Sequence, residues 1–291
     1  MSVLTSADRE HFLAHGYVQV PQAVDPQYVE RWSSRIWPRL GYDPHDPTTW
    51  TEEKIHLPSA EGGSVATIAP KAWQAIGELC GGHDRCVEAQ WTDGFIANFH
   101  LGRGQPWLPP GPTVKGWHKD GDFFRHFLDS PEQGLLTIVL WSDVVERGGP
   151  TYLIADSVAP VARYLAAHPE GVLPNGFPLR TIVDSCGDFL AATGKAGDVF
   201  LMHPFMLHTS SFNPLGRARL ITNPPIHFRE PLRFDRPHAD EYSLVELAIL
   251  RGLGVDRLAF APTAPREQVV PARIEKQRQL LEQEKRRLNQ G

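Results

Sequence analysis

The residues most able to do chemistry lie in segment 116–122, which reads GWHKDGD. Residues i and i+2 of a β-strand point to the same face, so His118 and Asp120 can meet at one point while Lys119 faces away. An imidazole and a carboxylate in this arrangement are typical ligands of a divalent metal ion. A His-x-Asp pair is common by chance, however, and a site of this kind needs a third ligand from elsewhere in the chain.

The third ligand is predicted from segment 197–210, which reads as one strand and contains two histidines. His203 and His208 differ by an odd number, so in a regular strand they face opposite sides and only one should bind the metal. Two histidines and one carboxylate on one octahedral face form the ligand set of non-haem iron(II) oxygenases.

A predicted hairpin indicates which histidine is the ligand. Segment 213–216 reads NPLG, with Pro second and Gly fourth as a type I turn prefers. If this turn closes a hairpin, Ser210 pairs with Arg219. His208 is two residues before Ser210, so its side chain points to the same face of the hairpin as theirs. The register therefore favours His208 and predicts that His203 is a packed strand residue. A guanidinium on this face suits the far carboxylate of a metal-bound dicarboxylate, although Arg217 shares the face and geometry alone does not exclude it.

With these residues in place, the chain resembles the phytanoyl-CoA dioxygenase family. His118-x-Asp120 is followed 90 residues later by His208 and eleven residues after that by Arg219. The similarity covers residues 88–229, and the segments that carry it are 117–120, 141–144, 148–150, 197–199 and 208–210. Segment 155–158 reads ADSV where many relatives have Gly-Ser-His, so the substrates of relatives are not transferred to this chain.

The resemblance implies a fold, cofactors and an activity. The implied fold is a double-stranded β-helix (jelly-roll, cupin-like) that uses iron(II), 2-oxoglutarate and O2. The implied metal ligands and catalytic residues are His118, Asp120 and His208. The residues implied to bind 2-oxoglutarate are Arg219, Ser210, Thr137 and Asn98. The implied reaction oxidises, above all hydroxylates, a C–H bond of a small organic substrate, with succinate and CO2 as co-products. Related halogenases lack the carboxylate, so Asp120 favours hydroxylation, desaturation or ring closure.

Several aromatic and basic residues near the metal segment are predicted to line the substrate pocket. Ordinary core and lid packing is the alternative interpretation of the same residues. They are Trp107, Trp117, Phe123, Phe124, Arg125, His126 and Trp141.

The surrounding pattern is mainly β with flanking helices. Residues 1–291 are expected to form one domain, with a helical region at 1–86, the catalytic core at 87–229 and helices at 230–291. Short apolar runs between Gly and Pro turns predict strands at 94–99, 135–145, 151–154, 188–192, 198–203 and 217–226. Segment 41–63 is predicted to be irregular surface. Segment 272–289 is a highly charged helix, interpreted as solvated or as a homodimer contact.

Composition narrows the function classes. The 291 residues carry a formal net charge of −5, which is not basic enough to indicate a nucleic-acid partner. The three cysteines show no CxxC spacing, the N-terminus has no signal-peptide pattern, and no run suits a membrane helix, so a cytoplasmic location is expected.

Two other functions fit the same residues. A cupin-like isomerase or epimerase could use the three metal ligands without 2-oxoglutarate, and would give Arg219 no role. A non-catalytic binding protein on the same barrel would tolerate His118→Ala.

Overall fold

The computed structural model describes residues 2–271 and 273–288. The helices are α1 Ser6–His15, α2 Pro26–Leu40, α3 Val65–Ile68, α4 Pro70–Cys80, α5 Val158–Ala166, α6 Leu179–Asp184, α7 Leu244–Leu253 and α8 Arg273–Leu288. The strands are β1 Tyr17–Val20, β2 Lys54–His56, β3 Gly62–Ser64, β4 Gln90–Thr92, β5 Ile96–Asn98, β6 Leu136–Leu140, β7 Thr151–Ile154, β8 Phe189–Ala192, β9 Val199–Met202, β10 Leu207–Ser210 and β11 Arg219–Thr222. Within these ranges, a helix with the length and apolar character of a membrane span is not found.

The larger sheet has the strand order β1-β9-β6-β11-β5-β2 and antiparallel pairing. All five residues of β6 are buried, as the apolar run at 135–145 predicts, although the strand ends at Leu140. β2 lies within segment 41–63, where the sequence predicts irregular surface. This short edge strand has no apolar periodicity of its own, and it forms because Lys54 pairs with Asn98 of β5.

The smaller sheet has the order β10-β7-β8. His118 extends it beside β10, since His118 N donates to His208 O (3.1 Å) and His208 N donates to His118 O (3.0 Å). From β5 through segment 118 to β11, the chain alternates between the two sheets, except that the consecutive strands β7 and β8 both lie in the smaller one. This alternation is a double-stranded β-helix, and the predicted fold class is confirmed.

Two local predictions are wrong because the chain changes sheets where one hairpin was expected. Segment 197–210 is not one strand: β9 belongs to the larger sheet and β10 to the smaller one. Pro204 lies between them and has no N–H for a strand ladder. The argument that His203 and His208 lie on opposite faces of one strand therefore does not apply, because the two residues are not in the same strand.

The predicted pairing of Ser210 with Arg219 is the second correction. Ser210 pairs with Thr151 of β7, and Arg219 pairs with Asn98 of β5. The predicted turn does close, since Gly216 N donates to Asn213 O (3.2 Å). It connects the two sheets instead of joining two neighbouring strands.

The C-terminal segment returns to the barrel. α8 packs on α2, where Arg39 Nε lies 2.6 Å from Glu284 Oε1 and both side chains are buried. Ahead of α8, Val269 N donates to Phe123 O (2.8 Å) beside the metal segment. The predicted solvated helix therefore has a buried side, and its predicted ends, Ala272 and Asn289, lie outside the described residues.

Candidate metal centre

The structure brings His118, Asp120 and His208 into one cluster, with one potential ligand atom from each lying within 4.8 Å of the others. His118 Nε2 is 3.5 Å from Asp120 Oδ1, and His208 Nε2 is 3.5 Å from Asp120 Oδ2. Neighbouring ligands of an octahedral ion with bonds of about 2.1 Å are about 3 Å apart, so a small contraction would complete coordination. Of the residues that the structure describes, this is the one His/Cys/Asp/Glu group suited to a metal.

Backbone carbonyls orient both imidazoles. His118 Nδ1 lies 2.8 Å from Gly116 O, and His208 Nδ1 lies 3.2 Å from Met206 O. A ring that donates Nδ1–H to a carbonyl keeps its lone pair on Nε2, which here faces Asp120. Gly116 has φ +86°, and a Cβ on it would lie 2.9 Å from Thr209 Oγ1, so this turn requires glycine.

Asp120 is held as a carboxylate. Burial would raise its pKa, but the charge of His208 and the hydrogen bonds from both imidazoles in their protonated form hold that pKa well below its usual range, and a metal ion would take the place of those protons on Nε2. Burial also lowers the pKa of His118, yet Asp120 and the Gly116 carbonyl outweigh burial and raise it. Asn223 Nδ2 donates to Asp120 Oδ2 (3.2 Å) and fixes the carboxylate plane. The cluster is therefore an anionic donor set suited to a divalent cation.

The cluster lies on the wall of a cavity of about 700 Å³ between the two sheets. The barrel strands contribute Thr137, Ile138, Thr151, Met202, Ser210 and Ile221. The loop wall of the cavity contributes Phe123, Asn175, Phe177 and Asn223, and helices contribute Leu179 of α6 and Gln277 of α8.

Of the residues predicted to bind 2-oxoglutarate, Ser210 and Thr137 line this cavity. Thr137 Oγ1 donates to Pro224 O (2.5 Å). Asn98 is buried behind the wall, where Nδ2 donates to Ser211 O (3.2 Å) and Oδ1 accepts from Leu101 N (3.1 Å). In this position Asn98 holds the loop that precedes the metal segment.

Arg219 is 1% exposed and also lies behind the wall. Its Nε donates to Gly149 O (2.7 Å) and its Nη1 to Ile96 O (3.3 Å). Within the described part of the chain, Nη2 is buried with no hydrogen-bond partner. Burial lowers the pKa of Arg219 to about 10, so the group stays charged at neutral pH.

Among the predicted substrate residues, Phe123 lines the cavity. Trp117 packs on Phe189 (5.6 Å between ring centroids), and Trp141 packs on Trp32 (4.9 Å). Three more lie against other parts of the protein: Trp107 under Arg147, Phe124 against His126, and Arg125 paired with Glu267. The aromatic rings of this group contact other side chains of the protein, and the prediction that these residues contact a substrate stays a prediction.

Two other histidines are held by the protein itself. His203 is fully buried, accepts from Phe205 N at Nδ1 (3.1 Å) and contacts Val245 O at Nε2 (3.3 Å). Burial lowers its pKa to about 3, as expected for a packed neutral histidine. His126 Nδ1 lies 2.8 Å from Nζ of Lys119, which also donates to Asp120 O (3.2 Å).

The cavity residues that escaped the sequence analysis include Lys54, Asn223 and Gln277. Asn223 follows Arg219 and Ile221 at even spacing, so strand parity could have indicated it. Lys54 and Gln277 lie far from the metal segment in sequence, in a short edge strand and a charged helix. No pattern in the sequence marks them as parts of a site.

Comparison with known proteins gives distant likenesses. No family model and no curated protein matches the chain. Similar solved structures include EctD from S. alaskensis with bound Fe, at 16% identity, with 81% of this chain and 83% of that chain covered and a TM-score of 0.48. Another is HygX from Streptomyces hygroscopicus with nickel and 2-oxoglutarate, at 15% identity, with 77% and 87% covered and a TM-score of 0.41.

A third similar structure is the non-haem α-ketoglutarate-dependent carbocyclase SnoK from nogalamycin biosynthesis. It has 14% identity, 78% and 86% coverage, and a TM-score of 0.44. At such low identity and TM-score, these likenesses carry no weight for function. The assignment depends on the geometry of the site.

Proposed function

We propose that the chain is an iron(II)- and 2-oxoglutarate-dependent dioxygenase of the phytanoyl-CoA dioxygenase family, which hydroxylates a C–H bond of a small organic molecule. In this reaction one oxygen atom of O2 enters succinate, the other enters the product, and CO2 is released. The observation that carries the proposal is the His118/Asp120/His208 cluster, oriented from behind by carbonyls and open to a cavity in front.

The donor set fits iron(II). Two neutral imidazoles and one carboxylate leave further coordination positions for a co-substrate and O2. When bound, iron supplies the redox chemistry, and the protein supplies ligand geometry and a cavity of limited water content. In this chain, Gly116 and Met206 hold the imidazoles, and Asn223 holds the carboxylate.

The cavity also fits a dicarboxylate. A buried guanidinium N–H without an acceptor is unfavourable, and a carboxylate supplied by a ligand would satisfy it. Arg219 Nη2 is such a group, while the hydroxyl of Ser210 lines the cavity two residues from His208 on the same strand. Arg219 and Ser210 are therefore proposed to bind the distal carboxylate of 2-oxoglutarate, and Thr137 to contact the same molecule.

The substrate is expected to be a moderately apolar small molecule. The loop wall offers the rings of Phe123 and Phe177 together with a few amide groups, including Asn175. This mixture suits an organic molecule with limited polar functionality.

Succinate formation tests the proposal. Purified protein is supplied with iron(II), 2-oxoglutarate and O2, and succinate is measured for the wild type, Asp120→Ala and Arg219→Met. Arg217→Met is the matched control, because Arg217 is exposed and two residues from Arg219. Uncoupled turnover is expected for the wild type and Arg217→Met, and loss in the other two.

Measuring metal and 2-oxoglutarate binding, and adding His118→Ala, separates the alternatives. An isomerase or epimerase that needs only the metal would bind the ion without binding 2-oxoglutarate, and a binding protein would tolerate His118→Ala. A metal-loaded wild type that neither binds 2-oxoglutarate nor forms succinate would contradict the proposal.

A further inference from the structure

The three residues of the metal cluster are not supported by the same sheet. His118 and His208 belong to the smaller sheet, where their backbones exchange two hydrogen bonds (3.0 and 3.1 Å). The chain bends at Asp120 and leaves that sheet. Asp120 therefore lies outside the strand pairing that fixes the two histidines, and its position depends on other contacts.

Gln133 holds the peptide group that follows Asp120. The side chain of Gln133 is buried. With its amide oriented to satisfy both ends, Nε2 donates to Asp120 O (2.9 Å) and Oε1 accepts from Gly121 N (3.1 Å). Two hydrogen bonds between one planar amide and one planar peptide fix the orientation of that peptide. Because Asp120 Cα belongs to the same peptide unit, the point from which its carboxylate extends is fixed as well.

The same peptide is crowded on its other sides. Gly121 has φ +112°, and a Cβ on it would lie 2.5 Å from His126 Cε1, so this position requires glycine. Lys119 Nζ also donates to Asp120 O (3.2 Å). The peptide between Asp120 and Gly121 therefore has little room to rotate while Gln133 is in place.

Gln133 is in turn attached to the larger sheet. The next residue, Gly134, donates its N–H to Ile226 O (2.6 Å), and this contact continues the pairing of β6 with β11. Asn223, which donates to Asp120 Oδ2 (3.2 Å), follows β11 directly. The backbone and the carboxylate of Asp120 are thus both attached to the larger sheet, whereas the two imidazoles are carried by the smaller one.

We propose that Gln133 is a positioning residue of the metal centre, which attaches the carboxylate ligand to the larger sheet and so sets its place relative to the two imidazoles. Gln133 also lines the cavity, but one peptide engages both ends of its amide, so its role is assigned to the metal centre and not to substrate contact. This inference rests on the metal-binding part of the proposed function and does not depend on the co-substrate.

The test is titration of the full, metal-free chain with Co(II), followed by visible absorption. The titration gives the affinity, and the absorption bands of Co(II) report the coordination geometry. The variants are Gln133→Met, which keeps the length and removes both hydrogen bonds, and Gln133→Asn, which keeps the amide but is one methylene shorter. Glu284→Gln is the control, because it removes a buried carboxylate beside Arg39, away from the cluster. The thermal midpoint is measured for each protein.

We expect Gln133→Met to weaken Co(II) binding about 10- to 100-fold, as for loss of an outer partner of a metal ligand. Its absorption spectrum at saturating Co(II) should differ from that of the wild type, because the carboxylate no longer has a fixed position. Gln133→Asn should change both quantities in the same direction but less, and it carries the test if Gln133→Met does not fold. Glu284→Gln should lower the thermal midpoint while its Co(II) affinity stays within about twofold and its spectrum is unchanged.

The outcomes that overturn the inference are distinct from those that overturn the proposed function. If Gln133 variants lose stability but keep the wild-type Co(II) affinity and spectrum, Gln133 only supports the fold. Weaker binding with an unchanged spectrum also overturns the inference, because the carboxylate then keeps its position. A wild type that does not bind Co(II) overturns the metal centre and the proposed function together. A Co(II)-loaded wild type that does not bind added 2-oxoglutarate overturns the proposed function, and the role of Gln133 is still decided by the spectra.

Discussion

Two arginines of this protein are almost equally buried but have different partners. Arg39 is 3% exposed, with Nε 2.6 Å from Glu284 Oε1 and Nη1 3.1 Å from Asp93 Oδ2. Arg219 is 1% exposed, and within the described residues its hydrogen-bond partners are the backbone carbonyls of Gly149 and Ile96. The first guanidinium is neutralised by carboxylates of its own chain, whereas the second has no carboxylate partner among the residues that the structure describes.

The difference supports a structural role for the charge of Arg39 and the proposed ligand-binding role for the charge of Arg219. Burying a cation is unfavourable unless it is paired, so a protein that retains an unpaired one close to a cavity gives up stability. Such groups occur at functional sites, where a ligand provides the opposite charge. Changes at Arg39 should therefore affect folding, and changes at Arg219 should affect ligand affinity.

The largest predicted effect is on stability at the structural site. Glu284→Gln removes one of the two carboxylates beside Arg39. The buried guanidinium then has only the carboxylate of Asp93 beside it. The free energy of unfolding should fall by about 3 kcal/mol, the lower end for breaking a buried pair. Urea unfolding followed by circular dichroism measures it, and 2-oxoglutarate affinity should change less than about twofold.

Glu282→Gln is the matched control on the same helix. Glu282 is exposed and pairs with Lys285 at 3.1 Å, so its loss should change stability by less than about 0.5 kcal/mol. A large drop in 2-oxoglutarate affinity in Glu284→Gln would contradict the distinction between the two arginines, since Arg39 would then also contribute to ligand binding.

The second prediction concerns Arg219→Met. Loss of one partner of a buried charge pair in a complex costs about 2–5 kcal/mol, so 2-oxoglutarate affinity should fall at least about 30-fold. The ligand-free protein should lose less than about 1 kcal/mol, because the arginine is unpaired there. Titration of the Mn(II)-loaded protein and urea unfolding measure the two quantities. Strong destabilisation with unchanged affinity would show that Arg219 is structural.

The third prediction extends the comparison to histidines. His203 is satisfied by its own chain and its pKa is lowered to about 3, so the folded state resists protonation there. As pH falls below about 6.5, the unfolded state gains a proton at this residue and stability is lost progressively, down to pH 3. The contribution is about 2 kcal/mol at pH 5 relative to pH 8.

His203→Gln measures this contribution. Glutamine can accept from Phe205 N and donate to Val245 O, but it does not titrate. The decrease in the free energy of unfolding between pH 8 and pH 5 should be about 2 kcal/mol smaller in His203→Gln than in the wild type. Identical pH profiles for the two proteins would mean that His203 is accessible to protons in the folded state.

The sequence could predict the features that depend on residues close together in the chain. His118 and Asp120 are two residues apart, and local strand geometry is enough to bring them together. The alternation of apolar runs with turns likewise predicted the barrel, and strand Thr151–Ile154 has the predicted bounds.

Residues brought together by long-range pairing were not predictable. Lys54 enters the cavity because β2 pairs with β5, and Gln277 because α8 packs on α2. The predicted hairpin between Ser210 and Arg219 was wrong for a related reason. A turn can be read from four residues, but whether it joins neighbouring strands or different sheets is decided by the whole fold.

The smallest predicted effect is at Asn223, which binds neither metal nor ligand carboxylate but holds Asp120 through its Nδ2 (3.2 Å). Asn223→Leu keeps a side chain of similar size and removes the donor. Metal affinity should fall about tenfold, at the lower end for an outer partner of a metal ligand. Competition of Mn(II) with a chelator measures this affinity.

Because Asn223 acts through Asp120, 2-oxoglutarate affinity at saturating metal should stay within about twofold in Asn223→Leu. Arg219→Met should show the reverse pattern, with metal affinity retained and 2-oxoglutarate affinity lost. Equal losses of metal and 2-oxoglutarate affinity in Asn223→Leu would mean that the two ends of the cavity are not independent, and the separation of structural, metal-holding and anion-binding groups would fail.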